Sequence, residues 1–410
     1  MYVMHPFAIN RRTMIKKVLI ANRGEIAVRV MRSCKEMGIR TVAVYSEADR
    51  AAKHVMYADE ACLIGPAASR DSYLNIENII RAARQHEADA IHPGYGFLSE
   101  NADFARRCKE EGIIFIGPSA ETMEAMGDKI SARKHMIAAG VPVVPGTEQP
   151  LQSAGEAVMI CNKIGYPVML KASNGGGGRG MRIVSREEDM PKEFKEAIDE
   201  SKKAFGDDQV FIEKYLKGPK HVEVQVLADN YGNVVHLFDR DCSVQRRHQK
   251  VVEYAPAFSV PEASRQKIFD SAIRLCKQVG YRNAGTCEFL VDSDGNPYFI
   301  EMNPRIQVEH TVTELVVRSQ ILIAEGYPLN SPEINITSQK AIECHGYAIQ
   351  TRVTSEDPSN NFMPDTGKVS VYHSGSGNGI RLDGGNVYTG AEILPYYDSL
   401  LVKVCSFDRT

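Results

Sequence analysis

The sequence of 410 residues holds no apolar run approaching about 18 residues, so nothing in it reads as a membrane span. It has no basic excess either: 49 Lys+Arg stand against 52 Asp+Glu, a net charge of −3. A sequence-independent nucleic-acid binder needs that excess, so the class is excluded. The nine cysteines form no CxxC, and the nearest pair, Cys276 and Cys287, stand 11 residues apart. Neither a zinc site nor a disulfide framework is signalled, and reduced thiols in a cytoplasmic setting are expected. The first βα turn, Asn22-Arg23-Gly24-Glu25, is not GxGxxG, and no GxxxxGK[ST] loop occurs. Residues 1–13, MYVMHPFAINRRT, carry two arginines, no acid and no apolar h-region. They read as a tail ahead of a fold that begins at Met14. What the chain does have is 43% hydrophobic and 25% charged residues, the mix of a soluble globular protein, at a length that calls for two or three domains.

Strand and helix signals alternate at the start. IKKVLIA (15–21) reads as a buried strand, Ile26, Val30, Cys34 and Met37 repeat at helical spacing, Gly38 ends that helix, and TVAVY (41–45) is the next strand. This βαβ unit implies a parallel sheet. Strands at 60–64, 89–92 and 113–116 alternate with helices at 73–86 and 99–111, so a doubly wound domain is expected to end near residue 125. Helix 122–139 and a Pro-rich linker follow. Then come helix 153–164, strand 167–172, the loop SNGGGGRG, strand 181–184 and helix 187–204. Strands dominate 209–303, with helices at 262–279 and 309–325, and a third part with strand and turn signals begins near 340.

The sharpest chemical signal lies at 287–309. CEFLVD and YFIEMN flank Asp294-Gly295, a strong two-residue hairpin turn. A turn centred there sets Glu288 directly opposite Glu301. Paired carboxylates cost stability unless a cation lies between them, and carboxylate oxygens suit Mg²⁺ or Mn²⁺. A solvated hairpin with two surface acids is the alternative. Beyond it, Glu301, Asn303, Arg305, Gln307 and Glu309 alternate with Met302, Pro304, Ile306 and Val308, so an extended backbone would line one face with polar groups. Arg305 suits an oxyanion.

Weaker signals surround this one. SNGGGGRG can lay backbone N–H groups against phosphates, or can be a plain hairpin loop. Lys171 ends the apolar strand before it and needs an anionic partner if buried. His221, Glu223 and Gln225 alternate with valines on a half-buried strand, and DCSVQRRHQK (241–250) is an anion pocket or a solvated basic face. HPGYGFLSEN (92–101) follows a strand, where α/β sheets carry ligand loops, yet a rigid turn is equally readable.

Taken together, KKVLIANRGEIAVRV, HPGYGFLSEN, KASNGGGGRGMR, EKYLKGPKHVEVQV, RDCSVQRRHQKVVE, FIEMNPRIQVEH and PYYDSLLVK resemble the biotin carboxylase component of biotin-dependent carboxylases, an ATP-grasp family. TRVTSEDPSNNFMPDTGK and IRLDGGN resemble the form fused at the N-terminus of pyruvate carboxylase. The fold so implied is α/β, with α+β in the ATP-grasp part. A Rossmann-like N-terminal domain would span 14–125. An ATP-grasp domain would span 126–335, its glycine-loop lid at about 144–215, and an incomplete, mixed C-terminal domain would span 340–410. The activity implied is ATP- and bicarbonate-dependent carboxylation of biotin through carboxyphosphate, the first half-reaction of pyruvate carboxylase. A subunit of an acetyl-CoA or propionyl-CoA carboxylase, or a truncated ATP-binding domain, is the alternative.

The resemblance also implies roles. Lys129, Lys171, Gly176, Gly177, Glu213, Lys214, Leu216, His221, Gln245, His248, Glu288 and Glu301 would bind ATP. Glu288, Glu301 and Asn303 would hold Mg²⁺ or Mn²⁺. Lys250, Arg305, Gln307 and Val308 would take bicarbonate, Glu309 would be the general base, and Arg352 would meet biotin. The implied partners are a biotin carboxyl carrier domain and a carboxyltransferase domain or subunit, in a homo-oligomer without nucleic acid or membrane. Biotin would ride on another domain or chain, since no Ala/Val-Met-Lys-Met motif occurs. Compared with the family, TELVVRSQ (313–320) lacks a Gly-containing turn between Val316 and Val317. That loss would fuse two helices into one over 311–325 and turn Ile321 and Leu322 from their family-like contacts.

Overall fold

The computed structural model describes residues 15–127, 129–172, 181–205, 208–247, 249–312 and 316–409, without the side chains of 129–131 and 204–205. The first five strands are β1 (Lys17–Ile20), β2 (Arg40–Ser46), β3 (Glu60–Gly65), β4 (Ala90–His92) and β5 (Ile114–Phe115). They form one parallel sheet in the order β3-β2-β1-β4-β5, as the alternating pattern predicts. Helices Gly24–Glu36, Ile76–Gln85 and Ala102–Glu110 cross over between strands. Asn75 and Asn101 cap the last two, each accepting a backbone N–H three residues on, at 3.0 and 2.8 Å. Gly38 follows the first helix with φ +74°.

The chain order reverses between β1 and β4, where α/β sheets open a crevice. Here Asn22 closes it, its Nδ2 donating to the carbonyls of Pro93 and Tyr95, both at 2.8 Å. Gly94 sits at φ +66°, and a Cβ on it would meet that Nδ2 at 2.9 Å.

Where a helix over 122–139 is expected, Ala120–Gly127 and Lys129–Ala138 are helical on either side of residue 128, which lies outside the described residues. Next, β6 (Val168–Ala172), β7 (Met181–Val184) and β8 (Val210–Lys214) make a three-stranded antiparallel sheet, order β7-β6-β8. Helices Ala154–Ile164 and Met190–Phe205 share a separate core with it, through Cys161, Leu170, Phe194 and Ile212. The loop between β6 and β7 lies outside the described residues.

The largest sheet has eight strands. β9 (Lys220–Ala228), β10 (Val234–Arg246), β11 (Gln249–Ala255), β12 (Asn283–Val291), β13 (Pro297–Asn303) and β14 (Tyr347–Thr354) combine with strands Leu400–Asp408 and Ile380–Gly384. The order is β13-β12-β9-β10-β11-β14, then 400–408 and 380–384. One sheet thus runs across residues 335–340. Its core with helix Glu262–Gln278 uses Val222, Val224, Ile268 and Phe289. Another core cluster joins Ile26, Val30 and Cys34 of the first helix to Ile306, Val317 and Ile321. The first sheet's helix layer therefore backs directly onto the 303–309 segment.

Two expectations about that segment are corrected. The strand ends at Asn303 and Val308–Val312 forms a 3₁₀ turn, so the polar residues 301–309 do not share one extended strand. Residues 308–312 are 3₁₀ and not the start of an α-helix at 309; the described part of the α-helix is Val316–Ala324, and 313–315 lie outside the described residues. Ile321 and Leu322 are buried within it, Ile321 in the core shared with the first helix.

Candidate active site

The β12–β13 hairpin pairs Glu288 with Glu301, but not by the expected turn. The loop has three residues, Ser293 to Gly295, closed by Asp292 N–H on Asn296 O at 3.1 Å, with Gly295 at φ +80°. Strands leaving it pair Phe289 with Phe299. Ile300 is then an extra residue, and from there Glu288 opposes Glu301 and Thr286 opposes Asn303. The longer loop shifts the register by one and the bulge shifts it back. Glu288 is buried and Glu301 is exposed.

Four donors converge on Glu288. His221 Nε2 lies 2.5 Å from Oε2, and Asn303 Nδ2, Gln307 Nε2 and Lys250 Nζ donate to Oε1 at 2.8, 2.7 and 3.1 Å. Gln245 Nε2 donates to His221 Nδ1 at 2.9 Å, which leaves the imidazole proton on Nε2, facing the carboxylate. Burial alone would raise the Glu288 carboxyl, but the Lys250 ammonium and His221 hold it down to about 2.

Lys250, from β11, is shared by three acids. Its Nζ also donates to Glu223 Oε2 and Glu309 Oε1, both at 2.6 Å. Burial opposes its charge, yet Glu223, Glu309 and Glu288 push its pKa well above the usual lysine value. Glu309 lies on the 3₁₀ turn, and Arg352 Nη2 from β14 donates to its Oε2 at 3.0 Å. Against its burial, Lys250, Arg352 and Arg240 hold Glu309 far below the carboxylate range. Arg305 Nε donates to Glu100 Oε2 at 2.7 Å and Nη2 to Asn303 Oδ1 at 2.9 Å.

Glu288, Asn303, Arg305, Gln307, Glu309, Lys250, Arg352, His221 and Gln245 are therefore linked in one network. Lys171, Glu213, Lys214 and Leu216 lie on or beside the three-stranded sheet. Lys171 has the acid partner its position demands, Glu213, and Lys214 Nζ donates to Gly165 O at 2.8 Å. Val308 contributes its carbonyl, which accepts from Lys403 Nζ at 3.0 Å. The side chain of Lys129, and Gly176, Gly177 and His248, lie outside the described residues. An ionised Glu288 bonded to the Asn303 amide, with Glu301 across the ladder, is a donor set that fits a hard divalent cation. Glu288 also groups with His221 and Glu223, their ligand atoms all within 4.8 Å of one another.

Sequence reasoning gave no role to Glu100, Glu223, Arg240 or Glu253. Glu253 accepts from Arg352 Nε at 2.6 Å, and Arg240 is wholly buried against Glu223. A signal existed for Glu223 and Glu253, each a lone acid in an apolar strand. Glu100 comes from the 92–101 loop, whose ligand-loop reading had been left open.

Three family descriptions cover most of the chain. "Biotin carboxylase, N-terminal domain" matches residues 14–123, "Carbamoyl-phosphate synthase L chain, ATP binding domain" 128–332, and "Biotin carboxylase C-terminal domain" 350–410. The chain is 55% identical over 402 residues to pyruvate carboxylase from Bacillus subtilis, covering 97% of this chain and 35% of that protein. It spans about a third of the length of the curated relatives it matches. A biotin carboxylase from Campylobacter jejuni, solved as a beta-gamma-ATP complex, superposes with TM-score 0.88 at 47% identity, covering 97% of this chain and 88% of that one. The biotin carboxylase domain of Hydrogenobacter thermophilus 2-oxoglutarate carboxylase, with MgADP, ADP and bicarbonate, gives 0.87 at 49%, covering 97% and 87%. Fold and site define the class, an ATP-dependent ligase of the ATP-grasp type. The chain belongs to the biotin carboxylase family.

Proposed function

We propose that this chain carboxylates biotin held on a carrier domain, using ATP and bicarbonate by way of carboxyphosphate, as the first half-reaction of a pyruvate carboxylase. The observation that carries the reading is the meeting of Lys250, Arg352 and Arg305 with Glu288 and Glu309 in one buried network. The network offers two charged carboxylates and three cations, on β11, β12, β14 and the segment that follows β13.

In this reading Lys171, Glu213, Lys214, Leu216, His221 and Gln245 hold the nucleotide, together with Lys129, Gly176, Gly177 and His248. Glu288, Glu301 and Asn303 would hold Mg²⁺ or Mn²⁺, which offsets charge on the phosphates when bound. Bicarbonate takes Arg305, Lys250, Gln307 and the backbone at Val308. With Lys250 and Arg352 both on it, Glu309 is a weak base. Bicarbonate draws Lys250 onto itself, so Glu309 regains basicity as its substrate arrives and accepts the bicarbonate proton. The freed carbonate oxygen attacks the γ-phosphorus, the bond to ADP breaks, and carboxyphosphate forms. Carboxyphosphate then splits to CO₂ and phosphate. The phosphate takes the biotin ureido proton, the nitrogen attacks CO₂, and Arg352 steadies the charge on the ureido oxygen.

The pyruvate carboxylase assignment is supported by the curated relatives at 51–55% identity that carry that name. The carrier and carboxyltransferase functions then come from other domains or chains, in a cytoplasmic homo-oligomer. Among the described residues no helix is long and apolar enough to cross a membrane. The reading is tested by ADP release: it should require bicarbonate and rise with free biotin.

A further inference from the structure

Among the described residues Arg240 heads the fully buried side chains by size, with no exposure at all. It lies on β10, paired across the ladder with Glu223 of β9. Its Nε donates to Glu223 Oε1 and its Nη1 to Gln225 Oε1 at 3.0 Å. Nη2 reaches Thr286 Oγ1 at 3.3 Å and Gln307 Oε1 at 3.1 Å. A guanidinium carries donors only, so every amide that faces it presents oxygen and turns its NH₂ away. Gln225 accordingly points its NH₂ at Gly285 O, at 2.9 Å. Gln307 points its NH₂ at Glu288 Oε1, at 2.7 Å. The same guanidinium occupies one oxygen of Glu223 and leaves the other for Lys250, at 2.6 Å. Two groups of the anion pocket, the Gln307 amide and the Lys250 ammonium, thus take their orientation from one buried cation behind them.

We propose that Arg240 is a positioning residue for bicarbonate: it fixes which way the Gln307 amide points and where Lys250 stands. This rests on reading Gln307 and Lys250 as bicarbonate-binding groups. The two groups it orients, Gln307 and Lys250, belong to the bicarbonate set, so its effect falls on bicarbonate more than on ATP. A residue that merely filled the core would lower stability without separating the two substrates.

The test is Arg240→Lys, which keeps the charge but cannot serve Glu223 and Gln307 at once. Steady-state ATP cleavage should show KM for bicarbonate raised about tenfold, with KM for ATP changed by less than about twofold. Because the effect runs through Gln307, Arg240→Lys added to Gln307→Met should cost less than it does alone. Equal rises for both substrates, or an unchanged KM for bicarbonate in folded Arg240→Lys protein, overturn the proposal. Should Arg240→Lys fail to fold, Thr286→Val decides, since it removes an acceptor of the same Nη2. A rise of about threefold for bicarbonate alone supports the role, and no rise overturns it. If the wild-type chain cleaves ATP without regard to bicarbonate, the parent reading falls and takes this one with it.

Discussion

Lys250 stands where three carboxylates meet, and each of the three has a second cationic or amide partner. A glutamine at 288 keeps the shape and an acceptor oxygen for Asn303 or Gln307, while Lys250 stays paired with Glu223 and Glu309. Glu288→Gln should therefore fold, as shown by an unchanged circular dichroism spectrum, yet lose nearly all metal-dependent ATP cleavage. Glu301→Gln should do the same. Near-normal Mg²⁺-dependent cleavage in both variants would remove these residues from the metal site. Arg305 splits its fork between Glu100 and Asn303, which a lysine cannot reproduce. Arg305→Lys should lose most carboxylation while nucleotide affinity, read by titration, stays within about twofold. A large loss of nucleotide affinity with unchanged turnover would contradict it. The pairing of Glu288 with Glu301 was legible from the hairpin, whereas the alternation that singled out Arg305 presumed an extended strand that ends at Asn303. Glu100 and Glu253 were not legible, because alternation says nothing about which charge a polar face will meet. Only strand pairing brings Glu253 beside Gln350, and only the packing of the first sheet brings Glu100 to Arg305.

Among elements, the 3₁₀ turn that carries Glu309 depends on strand 400–408. Lys403, fully buried, donates to Val308 O at 3.0 Å and pairs with Glu25 of the first helix at 2.9 Å. His310 Nδ1 lies 2.7 Å from Gln307 O and steadies the same turn. Lys403→Met leaves Glu25 short of its cation and should cost about 3 kcal/mol. A lower urea midpoint together with lower turnover is expected. Unchanged stability would show that the turn holds itself. The hairpin gives the clearest view of what sequence can and cannot tell. Asp-Gly marked where the chain turns but not the length of the loop, and Glu288 does oppose Glu301. The one-residue longer loop and the compensating Ile300 bulge were invisible, since both depend on how β12 also pairs with β9. Helix 316–324 is likewise seated by tertiary contacts, Val317 and Ile321 packing in the core shared with the first helix. Inserting a Gly-containing turn after Val316 should therefore lower the melting temperature, and a rise would show that the segment is strained.

At the scale of the whole molecule, the parallel sheet was legible because strand signals alternated with helical ones along the first 125 residues. That the third region joins the ATP-grasp strands in one eight-stranded sheet was not legible, since no local pattern encodes pairing between β11 and β14. Burial holds His54, His92 and His236 neutral, with pKa values near about 4 against the usual 6.5. Between those values the unfolded chain binds protons that the folded one refuses, so stability rises with pH across this window. The urea midpoint should fall on going from about pH 7 to about pH 5, before Glu288 protonates near its lower value of about 2. A flat or rising midpoint would mean these histidines accept protons in place. The central claim is that one buried network activates bicarbonate with ATP for transfer to biotin. ADP release by this chain, measured with Mg²⁺ and with bicarbonate and free biotin each present or omitted, tests it most directly. The account predicts release that requires bicarbonate and increases with biotin. Release indifferent to both would contradict it.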